Sequence, residues 1–163
     1  MRLSAACWGN AMSGDTGTSA LADFLPYRLS VASNAVSARI AELYRSRFGL
    51  TIGEWRIMAI LGEGEALTQR ELVGATLMDK VAVNRACKVL EKRSLVVRTP
   101  HPGDGRSHRL DLTTEGHGIY AEVMPLARDI ERQLLAGFSP EEYETMRGLL
   151  ARLRQQAEHI GSD

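Results

Sequence analysis

Lys80, Val81, Asn84, Arg85 and Lys88 recur at the three- and four-residue spacing that gathers side chains on one face of a helix. Asn, Arg and Lys at such positions carry hydrogen-bond donors that match the edges of bases and the oxygens of phosphates. Val83, Ala86, Cys87 and Leu90 share the opposite face, so one side of this segment packs while the other stays polar and cationic. Four further cations follow, Lys92, Arg93, Arg98 and Arg109, and suit phosphates, where they would set register without reading sequence. Arg106 lies in a Gly-rich stretch beside Asp104 and suits a minor groove, whose concentrated negative potential draws a guanidinium. Asp104 is expected to orient Arg106 through a charge-assisted bond, with a turn stabiliser beside a surface cation as the alternative. The chemistry these residues point to is noncovalent recognition of double-stranded DNA.

Other chemistries have little support. The sequence holds no G-x-S-x-G elbow, phosphate-binding Gly-Lys loop, H-E-x-x-H pair or dinucleotide fingerprint, which argues against an enzyme. His101, His108, His117 and His159 lack metal-ligand spacing, so neither a metal nor a cofactor is expected. Cys7 and Cys87 lie too far apart in sequence to suggest a disulfide framework. Cys87 sits on the apolar face and reads as a buried, inert thiol, with a redox-responsive thiol as the alternative.

Charge distribution supports the same chemistry. Twenty Lys and Arg balance twenty Asp and Glu, yet from Asp79 to Arg109 there are eight basic residues against three acidic. From Leu110 to Asp163 there are five against ten, so a basic patch is concealed within a neutral chain.

The elements that must position these residues follow from periodicity and caps. Residues 1–22 are mostly Ser, Gly, Ala and Thr without apolar periodicity and read as a flexible leader, with Met12 a second candidate start. No stretch is apolar enough for a signal core or a membrane span, and a cytoplasmic location is expected. Leu25, Leu29, Ala32, Val36, Ile40 and Leu43 mark a helix that starts near Asp23 and Pro26 and closes at Gly49. Capping boxes at Thr51 to Glu54, Thr68 to Glu71 and Ser139 to Glu142 announce three more helix starts. The second of these helices runs only to about Ala75, and Asp79 then caps a fresh one. Leu95, Val96 and Val97, a Pro-His-Pro-Gly-Asp-Gly stretch and the alternation through Leu112 predict a two-stranded hairpin with a long exposed tip. Thr113 caps a long helix that Pro125 should kink, and a final helix carries Met146, Leu149, Leu150, Leu153 and Ile160. The fold class is mainly α with a small β-hairpin, α+β.

Leu50 to Leu61, Leu67 to Arg98, and Asp104-Gly-Arg106 through Leu112-Thr-Thr-Glu-Gly116 together resemble the pattern of the MarR family. The resemblance implies a winged helix-turn-helix over 50–113 within a single domain, 23–160, whose helices in 23–49 and 114–160 form a homodimer. It also implies a regulator, usually a repressor, on a near-palindromic operator, released by a small aromatic or phenolic effector; the cluster of Tyr27, Trp55 and Arg56 narrows that expectation to an aromatic acid or its thioester. A crevice lined by Tyr27, Ser30, Asn34, Trp55 and Arg56 would offer aromatic walls and a cation for a carboxylate. Tyr27 and Trp55 taken alone are expected to fill core before they bind a ligand. A winged-helix module for protein interaction is the remaining alternative, since fold does not fix function. Three positions depart from the family pattern: Ser94 replaces a common glycine, so the reading helix should end less tightly; Gly105 replaces a common arginine; and Asn84 replaces a frequent Ser or Thr.

Overall fold

Helix α1, Leu25–Phe48, is the first regular element of the computed structural model, which describes residues 21–160. The chain divides into two units, Met1–Val36 and Ser37–Asp163. Within the first, every residue from 21 to 36 is exposed; the expected leader lies outside the described residues up to position 20. Within the second, the rest of α1 is followed by α2 (Ile52–Glu63), β1 (Leu67–Thr68), α3 (Gln69–Thr76), α4 (Lys80–Lys92), β2 (Val96–His101), β3 (Asp104–Leu112), α5 (Thr114–Leu134) and α6 (Pro140–Ile160).

The helix starts form for the local reasons that the sequence announces. At α2 the Thr51 N–H donates to Glu54 Oε2 (3.0 Å) while the Glu54 N–H donates to Thr51 Oγ1 (3.3 Å). The same reciprocal pair forms between Thr68 and Glu71 at α3 and between Ser139 and Glu142 at α6. Each satisfies two donors that a helix start otherwise leaves orphaned, and losing such a cap costs about 1 kcal/mol. At α3 the bonds from Thr68 also hold the Glu71 carboxyl below the usual carboxylate range.

The sheet is larger than the sequence led us to expect. β3 is its centre: β2 pairs with it antiparallel from Val96↔Leu112 to His101↔Asp104, and β1 adds a third strand through Leu67↔Leu110 and Thr68↔Arg109. The expected long tip is in fact only Pro102 and Gly103, because the pairing shifts register between Pro100 and His101 and continues to Asp104. Inside, Leu50, Ile57, Met58 and Leu61 meet Leu72, Val83, Cys87 and Leu90 and the inward strand residues Val96, Leu110 and Leu112 in one buried cluster. Trp55 stacks on Tyr44 of α1 (centroids 5.5 Å apart) and on Tyr120 of α5 (6.2 Å) within the same unit.

The end of α4 closes more firmly than the serine at position 94 suggests. Ser94 takes the left-handed conformation (φ 59°), its N–H reaches Glu91 O (3.0 Å), and the Leu95 N–H closes the helix onto Leu90 O (2.9 Å). The departure from glycine is therefore felt as backbone strain instead of a loose end, since a side chain in this region costs roughly 1–2 kcal/mol. Ser94→Gly is expected to raise stability by up to about 1 kcal/mol in a denaturant titration, with the slope unchanged. A neutral or destabilising result would show that the serine is not strained there.

Candidate nucleic-acid interface

The turn between α3 and α4 is built by side chains bonding to backbone. Thr76 Oγ1 donates to Leu72 O (2.6 Å) and accepts from the Met78 N–H (3.3 Å), while Leu77 takes a left-handed conformation (φ 53°) that ends α3. Asp79 Oδ1 then accepts the Ala82 N–H (2.8 Å) and starts α4 in a new direction.

On α4, Val83, Ala86, Cys87 and Leu90 are buried, as their spacing predicts. Lys80, Val81, Arg85 and Lys88 are exposed on the other face and Asn84 is half-buried beside them. Neither Lys80, Arg85 nor Lys88 forms an ion pair within the described residues, so their charges remain open to an anionic partner. Arg106 is also exposed, as the third residue of β3 just past the tip. Asp104 does orient this segment, but through the backbone: its Oδ1 accepts the Arg106 N–H (2.9 Å), which fixes the chain and leaves the guanidinium to solvent. The expected side-chain bond is corrected accordingly.

The structure gives the other expected phosphate cations different surroundings. Arg98 forks onto Glu91 of α4, with Nη2 to Oε1 at 2.7 Å and Nε to Oε1 at 3.2 Å, and this bond pushes its guanidinium pKa up. Arg109 is half-buried on the central strand, and its Nε is buried with no hydrogen-bond partner among the described residues. Lys92 is exposed at the end of α4. Arg93 turns inward: Nη2 donates to Phe48 O (2.6 Å), Nη1 donates to Gly49 O (3.2 Å), and Nη1 lies 3.9 Å from the buried Glu54 carboxylate. Its expected place on phosphates gives way to the open carbonyls at the end of α1.

Of the residues expected to line an effector crevice, Tyr27, Ser30 and Asn34 are exposed on the first half of α1, so Tyr27 does not fill core. Trp55 is only 8% exposed and is taken up by its aromatic stack, while Arg56 is exposed on α2. Cys87 is fully buried, and that burial pushes its thiol pKa up. A reactive thiolate needs the opposite shift and access to solvent. Among the described residues no cluster of His, Cys, Asp and Glu could hold a metal, and no helix is long and apolar enough to cross a membrane.

The sequence pattern described by the MarR family matches residues 48–107, which run from the end of α1 through the hairpin tip. Across 113 residues the chain is 30% identical to the HTH-type transcriptional regulator PecS of Dickeya dadantii, spanning 68% of each chain. The chain belongs to the MarR family. The homoprotocatechuate degradative operon repressor of Escherichia coli is 27% identical over 104 residues, covering 64% of this chain and 70% of that one. The crystal structure of a probable transcriptional regulator from Pseudomonas aeruginosa is 36% identical and superposes with a TM-score of 0.69 over 82% of this chain and 98% of that one. In MarR-family terms α3 and α4 are the helix-turn-helix and β2–β3 is the wing. The mostly helical fold with its small antiparallel sheet agrees with the class read from sequence.

Proposed function

We propose that this MarR-family chain is a DNA-binding transcriptional repressor that acts as a homodimer on a near-palindromic operator and is released by a small aromatic acid or its thioester. The observation that carries the reading is the solvent-facing cationic side of α4, with Lys80, Arg85 and Lys88 free of internal ion pairs among the described residues, next to a wing that presents Arg106. An α-helix of this kind fits the major groove while the wing reaches the adjacent minor groove. Val81 and Asn84 complete the reading face, and Arg98 and Arg109 on the strands of the wing are further candidate contacts to phosphate. Residues 50–113 form the DNA-binding lobe, and residues 23–49 and 114–160 form the dimer.

Exposed apolar surface supports the dimer. No residue of α6 is buried, and Leu149, Leu150, Leu153 and Ile160 all face outward; on α1, Leu25, Tyr27, Leu29 and Val31 do the same. Surface of that kind on a soluble chain marks an interface. An aromatic effector is supported by the homoprotocatechuate repressor, whose operon name concerns an aromatic acid.

The test combines light scattering with selection of duplexes from a random-sequence pool. The expected results are a dimer at micromolar concentration and an enriched two-half-site sequence whose affinity falls as salt rises, because each neutralised phosphate releases counterions. Adding a panel of aromatic carboxylates and their thioesters should weaken that binding. A monomer, or binding insensitive to salt, would sink the regulator reading, and an inert panel would sink the effector class alone.

A further inference from the structure

We infer that Arg93 is a positioning residue for operator reading: it ties the end of the reading helix α4 to the end of α1, so that the direction of α4 follows α1. The inference rests on the DNA-reading role proposed above and goes beyond it, because Arg93 lies off the reading face.

The geometry of both helix ends carries the inference. Gly49 takes a left-handed conformation (φ 60°), and its N–H returns to Arg45 O (3.0 Å), while the Leu50 N–H returns to Tyr44 O (3.4 Å). That closure leaves the carbonyls of Phe48 and Gly49 at the negative end of the helix dipole without helical donors. One guanidinium answers both, through Nη2 to Phe48 O at 2.6 Å and Nη1 to Gly49 O at 3.2 Å. Nη1 also lies 3.9 Å from Glu54 Oε2, and Glu54, which is 7% exposed, needs a compensating charge. At the other end of the side chain, Arg93 is the C-cap of α4 and its own N–H donates to Val89 O (3.0 Å). The planar fork therefore leaves a fixed helix end and meets two consecutive carbonyls, which sets an angle as well as a distance.

The reading residues begin at the far end of the same rigid element. α4 has 13 residues. At 1.5 Å per residue it is about 20 Å long, so a tilt of about 10° at the Arg93 end moves Lys80 by roughly 3 Å. A hydrogen bond to a base edge does not survive that displacement.

The test uses the full chain and the duplexes it enriches from a random-sequence pool. Affinity is measured for wild type, Arg93→Met, Arg93→Lys and Lys88→Met over a salt series and over operators whose half-sites are moved together or apart by single base pairs. Affinities are referred to active protein by stoichiometric titration. Arg93→Met should bind about tenfold more weakly, the loss expected when charge-assisted bonds set a helix, with the salt slope of wild type and a broadened or shifted spacing optimum. Arg93→Lys, which keeps the charge and loses the fork, should fall between. Lys88→Met should instead reduce the salt slope by about one while keeping the spacing optimum.

Three outcomes overturn the inference. A lowered salt slope with an intact spacing profile for Arg93→Met would make Arg93 a phosphate contact. Unchanged affinity per active protein at every spacing would leave it a stabilising contact only. If the wild-type chain enriches no duplex, the regulator reading falls and this inference falls with it, a failure visible before any variant is made.

Discussion

Gly116→Ala is expected to lower stability by about 3 kcal/mol, the upper part of the range for overpacking a filled site, and to lower the melting temperature by roughly 6–12 °C. A Cβ at this position would stand 2.2 Å from the carbonyl oxygen of Leu95 and 3.2 Å from Leu112 Cδ2. The neighbour is backbone, and it cannot step aside. Leu95 O accepts the Thr113 N–H (3.1 Å), and Thr113 Oγ1 both donates to Ser94 O (2.7 Å) and accepts the Gly116 N–H (3.1 Å). Moving Leu95 away would therefore undo the N-cap that starts α5. At Gly118, two residues on in the same helix, an added Cβ would meet nothing within 4 Å. Gly118→Ala should stabilise by about 0.5–1 kcal/mol through helix propensity alone. Thermal and denaturant melts of the two variants test the pair, and equal behaviour would mean that the close approach at Leu95 is not a constraint in solution.

Arg85→Ala and Arg106→Ala should both weaken DNA binding, and in different ways. Arg85 is exposed on α4, where a bidentate contact to a guanine in the major groove is worth about 1–3 kcal/mol for each half-site. Its loss should relax specificity at one base pair. Arg106 is held near the wing tip by the bond from its N–H to Asp104, and its loss should matter most where the flanks of the operator are A·T-rich and narrow. Each change should also reduce the salt dependence, because each cation displaces counterions. The measurement is a titration of each variant, confirmed folded, against a single-base operator series and a flank series at fixed salt. If both variants bind every duplex as wild type does, the reading surface lies elsewhere on the molecule.

What the sequence made legible was local. The capping boxes at Thr51, Thr68 and Ser139 are set by residues three apart, and the two faces of α4 by a period of 3.6, so both could be read without knowing the rest of the chain. Contacts between distant segments were not legible in this way. Arg93 looked like any basic residue after a basic helix, and its partners are carbonyls 44 and 45 positions away that any residue type could supply. Arg98 and Glu91 meet across a helix and a strand, for which no sequence period exists. β1 is two residues long, too short to show alternation, and Thr68 was already accounted for as a cap. The wing tip was overestimated because its Pro and Gly residues signal a break in pairing, whereas the strands tolerate Pro100 through a shift in register. Trp55 carries the same ambiguity as any large aromatic, and only its stack on Tyr44 and Tyr120 assigns it to the interior.

The two-residue strand β1 joins the wing to the first turn of the helix-turn-helix. Its pairing of Leu67 with Leu110 closes the intervening chain, with α3, α4 and β2, into one loop, and the packing of these elements offsets the entropy of that closure. Thr68 belongs to both halves of the closure, as the partner of Arg109 and as the cap whose Oγ1 accepts the Glu71 N–H. An opening that peels the wing from β1 therefore also frays the first turn of the helix-turn-helix. Amide protons in α3 and in β3 should consequently exchange with solvent through the same opening event, with one free energy for both, instead of through separate local fluctuations.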